Sequence, residues 1–298
     1  MSQTEIFDSE TQAPNPVLTA RAKTLLGFDA RYAKVHDQLQ LLLAADDLDR
    51  WSSRHHGGQL AIVDAVADQY PLVIFHGDVG TGKTAAAECI ANRLLAESRT
   101  EDATIFRLSN RVRGSGKVGE MTTLLAEALK RVTASIGKTR RAVLVIDEAD
   151  SIAASRAQEH SHHEDKVAVN TLIQGIDDLR RHRGRVVVIL CTNRLSVLDP
   201  ALLRRAAMIE RFDRPSEEER RELLLRDLKG VHITSAQLTK LVELTGPHGD
   251  APGWTYSDFR TRFYPAAIAA AFPDEPLSFD HLCNAARNIA ASQAMEDR

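Results

Sequence analysis

The sequence predicts an α/β fold: a parallel five-stranded sheet flanked by helices, followed by a smaller all-helical domain. Three observations carry that expectation. Short uninterrupted apolar runs, at 142–146 and 186–190 above all, have the character of strands buried on both faces. Helical periodicity fills the stretches between such runs, and this alternation implies parallel strands joined by crossover helices. After Pro215 the strand pattern stops, and only amphipathic segments remain. The expected organisation is an N-terminal segment over 1–50, a large domain over 51–214 and a helical domain over 215–298.

Taken in order, residues 1–20 carry Pro14 and Pro16 among polar residues and are expected to be poorly ordered. Residues 28–50 place Val35, Leu39, Leu42 and Leu43 at helical spacing, predicting one helix packed on the main domain. A second helix is expected at 59–69. The apolar run 72–75 predicts a strand, and a helix follows it to about Glu97. Further strands are expected at 103–108, 142–146, 186–190 and 208–212, with helices at 121–132 and 166–179. Residues 109–121 form a loop rich in glycine and positive charge. Four helical segments follow, at 216–228, 235–244, 256–272 and 278–295. Gly230, Gly246-Pro247, Pro252-Gly253 and the prolines at 273 and 276 punctuate them.

Bulk composition excludes several classes. With 43% hydrophobic and 27% charged residues, the chain reads as a water-soluble globular protein. It has no apolar run of membrane-spanning length and no secretory or transit leader, so a cytoplasmic location is expected. A formal net charge of −3 argues against direct nucleic-acid binding through a basic surface. Cys89, Cys191 and Cys283 are far apart and odd in number, so no disulfide framework or zinc spacing is present.

The chemistry-bearing motif is PLVIFHGDVGTGKT, residues 71–84. Gly77, Gly82, Lys83 and Thr84 fit the phosphate-loop pattern G-x-x-x-x-G-K-[ST] between a strand and a helix. Glycines there let the backbone of Gly77, Asp78, Val79, Gly80, Thr81 and Gly82 wrap a phosphate chain with N–H groups inward. The helix that follows adds its positive N-terminal end. Lys83 is expected on the terminal phosphates of ATP and Thr84 on Mg²⁺. Asp147 and Glu148 end the 142–146 strand, where ligands gather in a parallel sheet. Asp147 is placed to share the Mg²⁺ and Glu148 to polarise a water, although such acids also suit the first turn of a helix. Asn193 ends the 186–190 strand and can orient that water or serve as a cap. Residues 147–150 also spell DEAD, but Cys191-Thr192-Asn193 and a strandless second domain do not fit an RNA helicase. Arg204 and Arg205 end LDPALLRR; they suit a transferring phosphoryl group supplied to a neighbouring subunit, or a solvated helix end.

GDVGTGKT, VLVIDEAD, CTN and LDPALLRR, in that order and with a helical lid behind, resemble the AAA+ ATPases and their classical AAA clade. The likeness covers residue 59 to about residue 295. It implies a homohexameric ring that hydrolyses ATP between subunits and pulls on a protein in its pore. Thr192, Asn193, Asp199, Ala201 and Arg204 fit the clade's second region of homology; its second arginine falls on Ala207, a departure. A narrower likeness comes from Ser115-Gly116-Lys117, SIAASR at 151–156 and VNTLIQGIDDLRRH at 169–182. These are similar to the pachytene-checkpoint, thyroid-receptor-interactor-type ATPases that remodel HORMA-domain proteins. That resemblance favours Arg205 as the finger. It also points to the compact bacterial members that accompany HORMA proteins and cyclic-oligonucleotide synthases in anti-phage defence.

The same alignment puts the pore-gripping pair on Arg111 and Val112, with no aromatic residue. Arg111 and Arg113 would favour an acidic segment. His160, His162 and His163 lack the spacing of a metal site. Arg260 and Arg262 fall where many lids place a nucleotide-sensing arginine. Two functions follow: a protein-remodelling ATPase acting on a HORMA partner, or a loader acting on nucleic-acid assemblies. The net charge weighs against the second.

Overall fold

The computed structural model describes residues 6–98, 102–109, 112, 119–137, 139–154 and 163–295. The chain divides into two compact units: residues 1–76 with 84–211, and residues 77–83 with 212–298.

The first unit is built on a six-stranded sheet in the order β1-β3-β4-β5-β2-β6 among the described residues. Its strands are β1 (Phe7–Ala13), β2 (Leu72–His76), β3 (Asp102–Leu108), β4 (Arg140–Ile146), β5 (Val186–Thr192) and β6 (Ala206–Arg211). Strands β2 to β6 are parallel, as the alternating pattern predicts, and β1 adds antiparallel to the free edge of β3. In β4 and β5 every residue from Ala142 to Ile146 and from Val186 to Thr192 is buried, as required of strands covered on both faces. Ile74, on the interior strand β2, pairs with Leu190 on one side and Ile209 on the other. Helices α5 (Lys83–Glu97), α6 (Glu120–Ser135) and α7 (His163–Leu179) supply the crossovers. Leu125, Leu129 and Val132 of α6 join Leu172, Ile176 and Leu179 of α7 and the inner strand residues in one core cluster.

The N-terminal stretch departs from expectation. Residues 6–22, expected to be poorly ordered, hold β1 and the short helix α1 (Pro16–Ala22). The polar composition that suggested disorder is an edge-strand pattern: Phe7 and Ala13 are buried while Asp8, Glu10 and Gln12 face outward. Phe7 packs on Phe106 with ring centroids 4.9 Å apart. Asn15 caps α1 and exchanges hydrogen bonds with Asn92 of α5. The single helix expected over 28–50 is two, α2 (Phe28–Leu43) and α3 (Ala45–His56), broken at Ala44. Helix α4 (Ala61–Ala67) precedes β2.

The second unit is helical beyond the loop 77–83: α8 (Glu217–Asp227), α9 (Ser235–Leu244), a π turn at Asp258–Phe263, α10 (Tyr264–Ala271) and α11 (Phe279–Asn288). Capping boxes at Ser216–Glu219 and Thr234–Gln237 start the first two. Trp254 stands edge-on to Phe259 and Phe263, both fully buried. The last helix ends at Asn288, not near Met295; residues 289–295 run without regular structure and bond to Asp258 and Asp78 instead. The cysteines are free and buried, and burial pushes the Cys89 thiol up to about 11.

Candidate nucleotide site

Strand β2 ends at His76 and the glycine loop leaves it at once. Gly77 and Gly80 have φ of 143° and 80°, angles that a side chain resists. A Cβ on Gly77 would stand 2.1 Å from the Phe212 carbonyl oxygen, and one on Gly80 2.6 Å from Ser257 Cβ. The loop is therefore seated against the residues that open the second unit's helical part. Ser257 N–H donates to the Gly80 carbonyl at 3.2 Å. Thr81 Oγ1 donates to Asp78 O. Lys83, buried, directs Nζ to the carbonyls of Gly77 and Asp78, 2.8 Å each. Helix α5 starts at Lys83, so Thr84 lies in its first turn. Val79, at the loop's tip, is exposed. Positive-φ glycines, a buried lysine and a helix start form a cradle suited to a polyphosphate.

In the first unit the parallel strands bring three more predicted residues to one edge of the sheet. Asp147 follows β4, and Asn193 follows β5, the strand between β4 and β2. Asp147 accepts the Glu148 N–H on Oδ1 at 2.9 Å, and Arg107 Nη2 stands 3.8 Å from Oδ2. Glu148 is exposed and, among the described residues, is the one non-glycine whose φ lies in the left-handed region, at 48°. Such a backbone costs on the order of 1 kcal/mol. A 3₁₀ turn begins directly after it, Ser151 donating to the Glu148 carbonyl through both N–H and Oγ. The strained residue is thus held, exposed, just past the strand end. The hard carboxylate of Asp147 and hydroxyl of Thr84 are the donor types Mg²⁺ takes.

Sequence reasoning missed residues that support this edge. Asp150 Oδ1 accepts from Thr192 Oγ1 at 3.0 Å and Asn193 N–H at 3.4 Å, tying the end of β4 to the end of β5. Its signal was its place as third acid in residues 147–150, which also suits a helix start. Arg107 bridges Asp147 and the buried Glu88 of α5, and Arg21 reaches Glu88 at 2.6 Å.

The two arginines separate. Arg205 makes a bidentate pair with Asp177 of α7, 2.6 Å and 3.0 Å, donates to Ala201 O, and lies over the Tyr70 ring. The Asp177 carboxylate raises its already high pKa. Arg204 is exposed, and no side-chain hydrogen bond or ion pair engages it among the described residues. Val112, expected in the pore loop, donates its N–H to Ser109 O at 3.0 Å in a turn after β3, and its side chain is buried in the core cluster. Arg111, Arg113, Ser115–Lys117, His160 and His162 lie outside the described residues. No group of metal-binding side chains occurs among the described residues. In the second unit Arg262 pairs with Asp258 and donates to Ser292 Oγ. Among the described residues no helix is long and apolar enough to cross a membrane.

A glycine cradle opening a helix after a central parallel strand, with an acidic pair ending a strand of the same sheet, defines a phosphate-loop nucleotide-binding protein. The model of the ATPase family associated with various cellular activities (AAA) matches residues 73–214. The chain belongs to this family. It is 59% identical to CD-NTase-associated protein 6 of Escherichia coli strain KTE188, over all of both chains. It is similar to a chain of the E. coli MS115-1 HORMA:CdnC:Trip13 complex, at 36% identity and a TM-score of 0.88, covering 97% of each. The Rhizobiales Trip13 structure matches at 31% identity and a TM-score of 0.72, covering 96% of this chain and 99% of that one.

Proposed function

We propose that this protein is an ATP hydrolase that remodels a HORMA-domain protein. Its partner complex would include a cyclic-oligonucleotide synthase of an anti-phage system. The observation that carries the reading is the similarity, along nearly the whole of both chains, to a chain of a HORMA:CdnC:Trip13 complex. The CD-NTase-associated name of the 59% identical relative supports the synthase connection.

In this reading the N–H groups of the loop 77–82 and Lys83 Nζ bind the phosphates of ATP. Lys83 exchanges its carbonyl partners for phosphate oxygens. Thr84 and Asp147 would hold Mg²⁺, which when bound spreads the charge developing on the phosphates. Glu148 takes the proton of the attacking water on a carboxylate oxygen, and Asn193 fixes that water by its amide. Arg204 enters the site of an adjacent copy, because Arg205 is held inside its own subunit by Asp177. In this reading the working form is a homohexamer, acting in the cytoplasm.

The test is ATPase stimulation. A purified HORMA-domain protein should accelerate hydrolysis, and the Glu148→Gln form should retain that protein in a stable complex with ATP. Stimulation by DNA with no response to the HORMA protein would refute the proposal in favour of a nucleic-acid loader.

A further inference from the structure

Asp78 places a carboxylate inside a loop shaped to receive a polyanion. Left bare, it would oppose every phosphate that approached. Both of its oxygens are instead taken. Arg214 Nε donates to Oδ2 at 2.6 Å, and the backbone N–H of Met295 donates to Oδ1 at 2.8 Å. Arg214 is 12% exposed and Asp78 18%, so water screens the pair weakly. Arg214 is itself fixed, Nη1 donating to Gly253 O at 2.6 Å. The segment carrying Met295 is fixed at a second point. Ser292 donates to the buried Asp258 through Oγ at 2.6 Å and N–H at 3.3 Å, and Asp258 also takes the N–H of Thr255 at 2.8 Å. Thr255 Oγ1 in turn fills the space beside Gly80. Loop, Arg214, the 253–258 segment and the 289–295 segment thus form one hydrogen-bonded frame within the second unit.

We propose that Asp78 and Arg214 are positioning residues for the nucleotide: their pairing, completed by the Met295 N–H, holds the phosphate loop open while cancelling the loop's own negative charge. Arg214 acts through Asp78 and not on the phosphates. The 289–295 segment is then a brace for the loop, and its docking and nucleotide binding favour one another. This rests on the reading of residues 77–84 as the nucleotide cradle.

The experiment measures dissociation constants of MgADP and MgATP for the full chain by calorimetry. All proteins carry Glu148→Gln to suppress turnover, and each is measured at low and high salt. Arg214→Gln leaves the carboxylate bare. It should weaken MgATP about tenfold, MgADP less, and the loss should shrink as salt rises. Adding Asp78→Asn to it should recover most of the loss. Asp78→Asn alone leaves the arginine in excess and should bind MgATP at least as tightly as the parent. Met295→Pro removes the N–H that Asp78 accepts and should weaken MgATP in the same charge-dependent way, by a smaller factor. Equal losses for both nucleotides without salt dependence, or a double variant no better than Arg214→Gln, overturn the proposal. If Arg214→Gln does not fold, Asp78→Asn decides, and a tenfold weaker MgATP overturns it. A parent that binds neither nucleotide refutes the cradle reading itself, which separates the two failures.

Discussion

Glu148 combines two properties that seldom coincide in a non-glycine residue: a left-handed backbone and an exposed carboxylate. The strain is tolerated because Asp147 takes its N–H and Ser151 its carbonyl. Glu148→Gln keeps that backbone and loses only the base, so ATP binding should persist while turnover falls about 10²–10³-fold. Single-turnover kinetics checks this, and a parental rate removes Glu148 from the base role. Lys83→Ala should remove detectable nucleotide binding by calorimetry, since Lys83 is the cation in contact with the loop carbonyls. The sequence left the choice between the paired arginines open, with the narrower resemblance favouring Arg205; the Asp177 pair and burial distinguish them. Arg205→Ala should lower stability by about 1 kcal/mol, because it strands Asp177 and uncovers Tyr70. Arg204→Ala should leave the melting temperature unchanged and, on the proposed role in an adjacent copy's site, abolish ATPase activity.

At the scale of elements, the parallel strands were legible because strands covered on both faces carry uninterrupted apolar runs, as residues 142–146 of β4 and 186–190 of β5 do. The glycine loop was legible because close backbone approach excludes side chains, as Gly77 against Phe212 illustrates. Strand β1 was not, because an edge strand alternates and its polar residues resemble those of an irregular segment. The burial of Val112 was not legible, because alignment to a loop carries no information on which side of the turn faces the core. Residues 289–295 looked helical by composition, but Asp258 offers their backbone and Ser292 a better set of partners. Burial raises the Asp258 pKa, and the bonds from Ser292, Thr255 and Arg262 outweigh it, so the net shift is downward. A carboxyl lowered in the folded state stabilises above its unfolded value of about 4 and loses that contribution as pH falls through the folded value. The helical unit should therefore unfold more readily in acid, and Asp258→Asn should flatten that dependence in thermal melts at neutral and acidic pH.

For the molecule as a whole, the proposal of a shared site predicts complementation. Neither an Arg204→Ala protein nor a Glu148→Gln protein should turn over ATP alone. Mixed, they create interfaces where an intact base faces an intact arginine, and activity should return in part. Failure of rescue in every ratio would mean that each subunit completes its own site. The sheet order has a further outcome during synthesis. Ile74 finds its strand partners at Leu190 and Ile209, far downstream, and Phe7 finds Phe106 and Leu108. At ordinary elongation rates the run 72–75 emerges from the ribosome on the order of ten seconds before its first partner strand. Nascent chains thus pass through a vulnerable interval with an unpaired apolar centre, when chaperone supply governs yield more than the finished protein's stability does.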